Sequence, residues 1–278
     1  MKYSYILPLC ILLFSSCEKE ISIDYKVIPP LTVLECSVTP QGVTAQLSYT
    51  VEMTDPENTS PYTGFAQLTI TDSDGNSTEL FPIGDGLFKA DLEGIPEKTY
   101  TLSAITDGGT YTATSTMPML FDACSTGFTS EKQSMGNSIQ YKYGVQIETN
   151  QLSDEREYFV CWLFRNNKYY TWSVVDSRSA DADGKINLYL NCFSDDDDDD
   201  DKDRLNEGDS LYAIVASVDL DVYTYYYSIK TGSGNNSNPT VLFTPTDASQ
   251  PPLLGYFSAQ TVVTTSSVEF DYDNIAQK

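Results

Sequence analysis

Ala66-Gln67-Leu68-Thr69-Ile70-Thr71, then Asp72-Ser73-Asp74-Gly75-Asn76, then Ser77-Thr78-Glu79-Leu80-Phe81 read as strand, turn and strand. Apolar and polar residues alternate on both sides of an Asp-Gly pair, the short-range signature of a β-hairpin. Working outward, Thr32 to Val38, Val43 to Val51, Leu87 to Leu92, Thr99 to Thr106 and Thr110 to Thr116 repeat the pattern. About seven short strands with turns every ten or so residues predict an immunoglobulin- or fibronectin-like sandwich over 31–118. Tyr100, after Gly94-Ile95-Pro96, stands at the head of a late strand, as a tyrosine often does in such sandwiches.

Beyond it, 119–135 is low in periodicity and is expected to be a connector, and 136–278 a larger C-terminal β-domain with one short helix. Its strands are Tyr141 to Thr149, Tyr158 to Phe164, Tyr169 to Val175, Ile186 to Phe193, Ser210 to Val218 and one more in Thr261 to Phe270. Tyr158 to Phe164 is apolar on both faces, which implies cover on both sides. The helix is expected over Asp221 to Lys230, with Asp219 or Asp221 as cap and Gly232 after its last periodic residue. The fold class is therefore all-β, in two domains.

The N-terminus supplies an address. Met1-Lys2, an apolar run from Tyr5 to Phe14, and Leu12-Leu13-Phe14-Ser15-Ser16-Cys17 resemble the signal peptide and lipobox of a bacterial lipoprotein. Cleavage after residue 16 leaves Cys17 as the lipidated N-terminus, followed by a tether over 17–30 that Pro29-Pro30 stiffens. Glu18-Lys19-Glu20 resembles the export tag that carries Bacteroidota lipoproteins to the outer face of the outer membrane.

Composition narrows the function. Lys plus Arg total 16 against 40 Asp plus Glu, a formal net charge of −24, which excludes nucleic acid as a partner. The same charge repels anionic lipid headgroups, so attachment to the outer membrane falls to the lipid anchor. There is no histidine, which removes the commonest general base and the Ser-His and Cys-His pairs and argues against an enzyme. A carboxylate-dependent glycosidase survives that exclusion, but no pair of acids stands out. Cys36, Cys124, Cys161 and Cys192 meet an oxidising compartment, and they permit three pairings or none. Strand alternation points Cys161 and Cys192 inward.

Candidate sites follow from spacing. Asp195 to Asp201 is an unbroken acidic run followed by Asp203. Hard oxygen ligands suit Ca2+, and Asp195, Asp197, Asp199, Asp201 and Asp203 are the candidate ligands. Calcium loops, however, space their ligands and place a glycine, so a solvated loop with weak Ca2+ binding is the simpler reading, and no other cofactor is implied. Asp72 to Asn76 and Asp181 to Lys185 each look like half a calcium loop, and both read as ordinary Asp-Gly turns. Trp162 and Trp172 suggest a sugar platform or a cross-hairpin core pair, with Tyr170 expected on the Trp172 face. Tyr223, Tyr225, Tyr226 and Tyr227 are the better ligand-binding candidates, because a helix cannot bury all four on one side. Asp209-Ser210-Leu211 matches a short O-glycosylation acceptor pattern, at a strand start.

The order of these pieces resembles a Bacteroidota lipoprotein family of unknown function, often encoded beside TonB-dependent receptors. The carriers are Cys17-Glu18-Lys19-Glu20-Ile21, Leu31-Thr32-Val33-Leu34-Glu35, Asp74-Gly75-Asn76, Thr99-Tyr100-Thr101-Leu102, Tyr111-Thr112-Ala113-Thr114 and Met117-Pro118. They continue with Asp203-Arg204-Leu205, Asp219 to Ile229, Asn238-Pro239 and Leu254-Gly255-Tyr256-Phe257. The resemblance implies a lipoprotein facing the cell exterior, a non-enzymatic accessory of a TonB-dependent nutrient uptake system with a peptide or glycan ligand. The alternative is a fimbrial or adhesin subunit, which needs a vacant strand position in the sandwich.

Overall fold

Alternation of Val, Thr, Ile and Tyr with polar residues sets the strands, and four sheets collect them. The computed structural model describes residues 29–51, 60–132, 139–149, 155–194, 205–231 and 242–277. The expected signal peptide, Cys17 and the five candidate aspartates between 195 and 203 lie outside the described residues.

The first sandwich is built from β1 (Thr32–Thr39), β2 (Gly42–Tyr49), β3 (Ala66–Asp72), β4 (Ser77–Glu79), β5 (Phe81–Gly84), β6 (Leu87–Ala90), β7 (Thr99–Thr106) and β8 (Gly109–Thr116). The hairpin that opens the sequence reading is β3–β4, in register from Thr69 opposite Glu79 to Thr71 opposite Ser77. Leu34, Val38, Leu47, Leu68, Ile70, Tyr100 and Leu102 point into the core between the sheets. The Tyr100 hydroxyl accepts the Ile95 N–H at 2.8 Å, so the tyrosine pins the loop before its own strand.

The second half contains β9 (Asp122–Lys132), β10 (Ile139–Glu148), β11 (Tyr158–Arg165), β12 (Lys168–Asp176), β13 (Lys185–Ser194), β14 (Ser210–Val218), α1 (Leu220–Thr231), β15 (Thr244–Pro245), β16 (Leu254–Ala259), β17 (Thr261–Thr264), β18 (Val268–Glu269) and β19 (Ala276–Gln277). One sheet runs β13-β10-β9-β19 and the other β12-β11-β14-β17, with β18 also on β14. Tyr143, Ile147, Phe159, Leu163, Val215 and Phe270 fill the space between them. Val160 and Trp162 belong to a third cluster on the far side of β11, so the doubly apolar strand is covered on both faces as its sequence implies.

Two expectations need correction. The segment 119–135 is not an irregular connector, because β9 occupies most of it. Its alternation breaks at Gly127, with φ +83, where the pairing with β10 slips and Thr126 is left without a partner. That bulge hid the strand. The division at 118 and 136 also fails for Thr244–Ala259, because β15 pairs with β8 and β16 pairs in parallel with β1. The sheets of the first sandwich therefore run β16-β1-β2-β6-β5 and β15-β8-β7-β3-β4, and Phe243, Leu253, Phe257 and Ala259 lie in its core. Leu31–Lys278 forms one unit, and only Gln260 separates β16 from β17 in the second half.

Candidate functional site

Helix α1 lies where the two halves meet. Asp219 caps it, accepting the Val222 N–H at 2.9 Å. The same carboxylate accepts a short hydrogen bond from the Ser115 hydroxyl of β8, and Ser115 Oγ accepts the Ala259 N–H of β16 at 2.9 Å. One cap thus ties α1, β8 and β16 together. Burial pushes the Asp219 pKa up, against the lowering effect of the Ser115 bond. Ser115 is only 2% exposed, so a hydroxyl beside a carboxylate here is a joint and not a nucleophile with its base.

The four candidate tyrosines separate by helical face. Tyr225 is buried, Tyr223 and Tyr226 are half-buried, and Tyr227 is 49% exposed. Trp162 and Trp172 sit directly opposite each other across β11 and β12. The Tyr226 ring meets both edge-on, at 5.8 and 5.5 Å between centroids. On its other sides Tyr226 touches Tyr225 at 5.6 Å and Tyr256 of β16 at 5.3 Å. The tryptophans are therefore neither a bare platform nor sealed in a sandwich core, since both remain half-buried beneath the helix. Burial pushes the Tyr225 phenol up to about 12 and those of Tyr226 and Tyr256 higher still.

Tyr223 lies between Tyr158 at 5.0 Å and Tyr227 at 5.8 Å, the latter pair nearly parallel. Its hydroxyl donates to Asp176 Oδ2 at 3.4 Å. Arg178 grips that carboxylate through Nε at 2.8 and 3.1 Å and Nη2 at 2.5 Å, which holds the Asp176 pKa down. Lys230, near the helix end, donates to Ser173 Oγ at 2.5 Å, and burial lowers its pKa.

Tyr170 does not share the Trp172 face. The β11–β12 register slips between Leu163 and Phe164, leaving Tyr170 unmatched, and its hydroxyl donates to the Cys192 carbonyl at 2.5 Å on the core side. Tyr169 takes the outer face instead, 6.3 Å from Phe164, which stacks on Tyr212 at 5.3 Å. Tyr158, Tyr212 and Tyr256 escaped the sequence reading as site residues, because their strands are distant along the chain and only the pairing order joins them.

The other candidates resolve plainly. Asp72 accepts the N–H groups of Asp74 and Asn76 at 3.0 and 2.9 Å, and Lys98 Nζ lies 2.7 Å from Asp72 and 2.8 Å from Asp74. An ammonium stands where a cation would. Asp181 likewise accepts from the Asp183 and Lys185 N–H groups, so both are Asp-Gly turns. Among the described residues no three His, Cys, Asp or Glu side chains are grouped to hold a metal. Cys36, Cys124, Cys161 and Cys192 are free thiols, with Cys36 and Cys161 buried, Cys192 packed against the second core and Cys124 exposed. Ser210 begins β14 with its hydroxyl 2.5 Å from that of Ser267.

Fold and site together define an all-β protein of paired sheets, joined through an aromatic helix. The chain belongs to the family described as "Domain of unknown function (DUF4249)", whose model matches residues 18–266. Among solved structures it is similar to a two fibronectin type-III domain segment of chicken tenascin, at 14% identity over 87% of this chain and 99% of that one, with a TM-score of 0.20. It is also similar to the chicken interferon gamma receptor alpha chain, at 9% identity over 69% and 90% of the two chains, again with a TM-score of 0.20. No curated protein matches the sequence.

Proposed function

We propose that this chain is a lipoprotein of the outer membrane, anchored through Cys17 and facing the cell exterior, and that it is a non-enzymatic binding component of a TonB-dependent nutrient uptake system. The observation that carries the binding part is the aromatic face of α1. Tyr223 and Tyr227, nearly parallel, are held half-buried and exposed over the enclosed Tyr226. The helix is fixed at three points, by Asp219 with Ser115, Tyr223 with Asp176 and Lys230 with Ser173, an arrangement that offers rigid contact area with hydroxyls at its rim. The lipobox-like run before Cys17 supports the anchor, and the lack of histidine supports a role without catalysis. The ligand class is a peptide or a glycan.

The test is a pull-down of the lipidated protein from outer membranes in mild detergent, read by mass spectrometry. Stoichiometric recovery of a TonB-dependent receptor is expected, with loss of membrane recovery in Cys17→Ala. Ladders of self-polymer without a receptor would overturn the uptake reading in favour of adhesion.

A further inference from the structure

We infer that the corner where α1 meets the outer face of β1 and β16 recognises an organic cation, a primary ammonium or guanidinium, with Glu35 as its counter-charge and Tyr225, Tyr226 and Tyr256 as its wall. Glu35 stands between the buried Leu34 and Cys36, so strand alternation turns it away from the core. It is paired in register with Tyr256 on one side and Gln46 on the other. Tyr256 in turn touches Tyr225 and Tyr226, at 5.4 and 5.3 Å between ring centroids, so the register brings Glu35 to the edge of all three rings.

Among the described residues, Glu35 has no ion-pair partner. Asp72 has Lys98, Asp176 has Arg178 and Asp209 has Arg165, while Asp219 is held by the Ser115 hydroxyl and the first turn of α1. Gln46 does not compensate, because its amide donates to the carbonyls of Leu47 and Asp85 at 3.0 and 2.8 Å. Glu35 nevertheless keeps solvent exposure, within reach of a ligand, while partial burial of its carboxyl raises its pKa and leaves it short of a counter-charge. A carboxylate beside electron-rich rings favours positive charge, and a chain of net charge −24 concentrates cations at its surface. A metal ion is the poorer fit, since hard cations require several oxygen ligands and this corner supplies one carboxylate. An alkyl ammonium uses both the charge and the rings.

This assignment rests on the binding reading above and names its ligand chemistry. The full mature chain, in detergent, is titrated calorimetrically with n-butylammonium and with a blocked Gly-Gly-Lys-Gly-Gly peptide. The same peptide carrying norleucine is the neutral control. Binding of a cationic probe, weakened tenfold or more by Glu35→Gln and partly restored by Glu35→Asp, is the expected result, with thermal unfolding verifying that each variant is folded. Binding of butylammonium alone would assign a free amine as the source, and binding of the lysine peptide a basic side chain. Equal binding of the norleucine peptide, or binding unchanged in Glu35→Gln, would overturn the site. Recovery of a receptor in the membrane pull-down without any cation binding would remove this inference and leave the uptake reading standing.

Discussion

Gly255→Ala is the sharpest perturbation of the joint between the two halves. Gly255 has φ +102, and a Cβ built there would lie 2.1 Å from the Leu34 carbonyl oxygen, 2.7 Å from its carbon and 3.0 Å from its nitrogen. Those are backbone atoms of a strand whose Leu34 side chain is fully buried, so no side chain can swing aside. The backbone strain is worth ~1–3 kcal/mol. Forced overpacking adds a further ~1–3 kcal/mol. Together, a loss of about 2–6 kcal/mol corresponds to a fall in Tm of roughly 4–24 °C for a unit of this size. Gly75→Ala is the internal control: its φ of +88 is similar, but nothing lies within 4 Å of the added carbon. Thermal unfolding followed by far-UV circular dichroism compares the two, and near-UV dichroism reports Tyr256, which β16 carries against Tyr225 and Tyr226 of α1. If Gly255→Ala lowers Tm no more than Gly75→Ala, then close pairing of β16 with β1 does not hold the joint, and the reasoning is wrong.

Tyr226→Ala removes the ring that Trp162, Trp172, Tyr225 and Tyr256 share and is expected to cost ~2–4 kcal/mol by denaturant unfolding, below the full aromatic-to-alanine range because Tyr226 is half-buried. Asp219→Ala loses the cap and strands the Ser115 hydroxyl, for a loss of ~1–3 kcal/mol. Asp219→Asn keeps a capping oxygen and tests the charge. The folded-state pKa of Asp219 is raised, so the wild type loses stability as pH rises through the ordinary carboxylate range, and Tm of the asparagine variant should improve relative to wild type from pH 4 to 7. Asp176 has the opposite sign: its pKa is depressed, its contribution is present above the unfolded value and lost as pH falls, and Asp176→Asn should narrow the acid-induced drop in Tm. Iodoacetamide is expected to modify Cys124 in the native protein, while Cys36, Cys161 and Cys192 react only after unfolding; burial raises the Cys161 and Cys192 thiols to about 12.

Local pattern made most of the strands legible. Alternation and Asp-Gly turns suffice where each strand pairs with its sequence neighbour, as in β3–β4 and β7–β8. The helix was readable from its Asp219 cap and the helical spacing of Val222, Tyr226 and Ile229, although the buried side of Leu220–Thr231 is Val222 and Tyr225 and Ile229 is exposed. Reading failed where one inserted residue reverses the faces, at Thr126 in β9 and Tyr170 in β12. A bulge leaves no signal in composition, and a single step in register moves every following side chain across the sheet.

The amino-acid sequence by itself determined the all-β class, most strand positions, the capped helix and the acidic, histidine-free surface, because these follow from periodicity and charge within a few residues. Only the tertiary structure decided that β16 returns to lie beside β1, that Tyr256 and Glu35 join the tyrosines of α1, and that Trp162 and Trp172 serve the helix. Those contacts join residues from 30 to more than 200 positions apart along the chain. They are selected by burial and backbone pairing across the whole molecule, which local preference cannot encode.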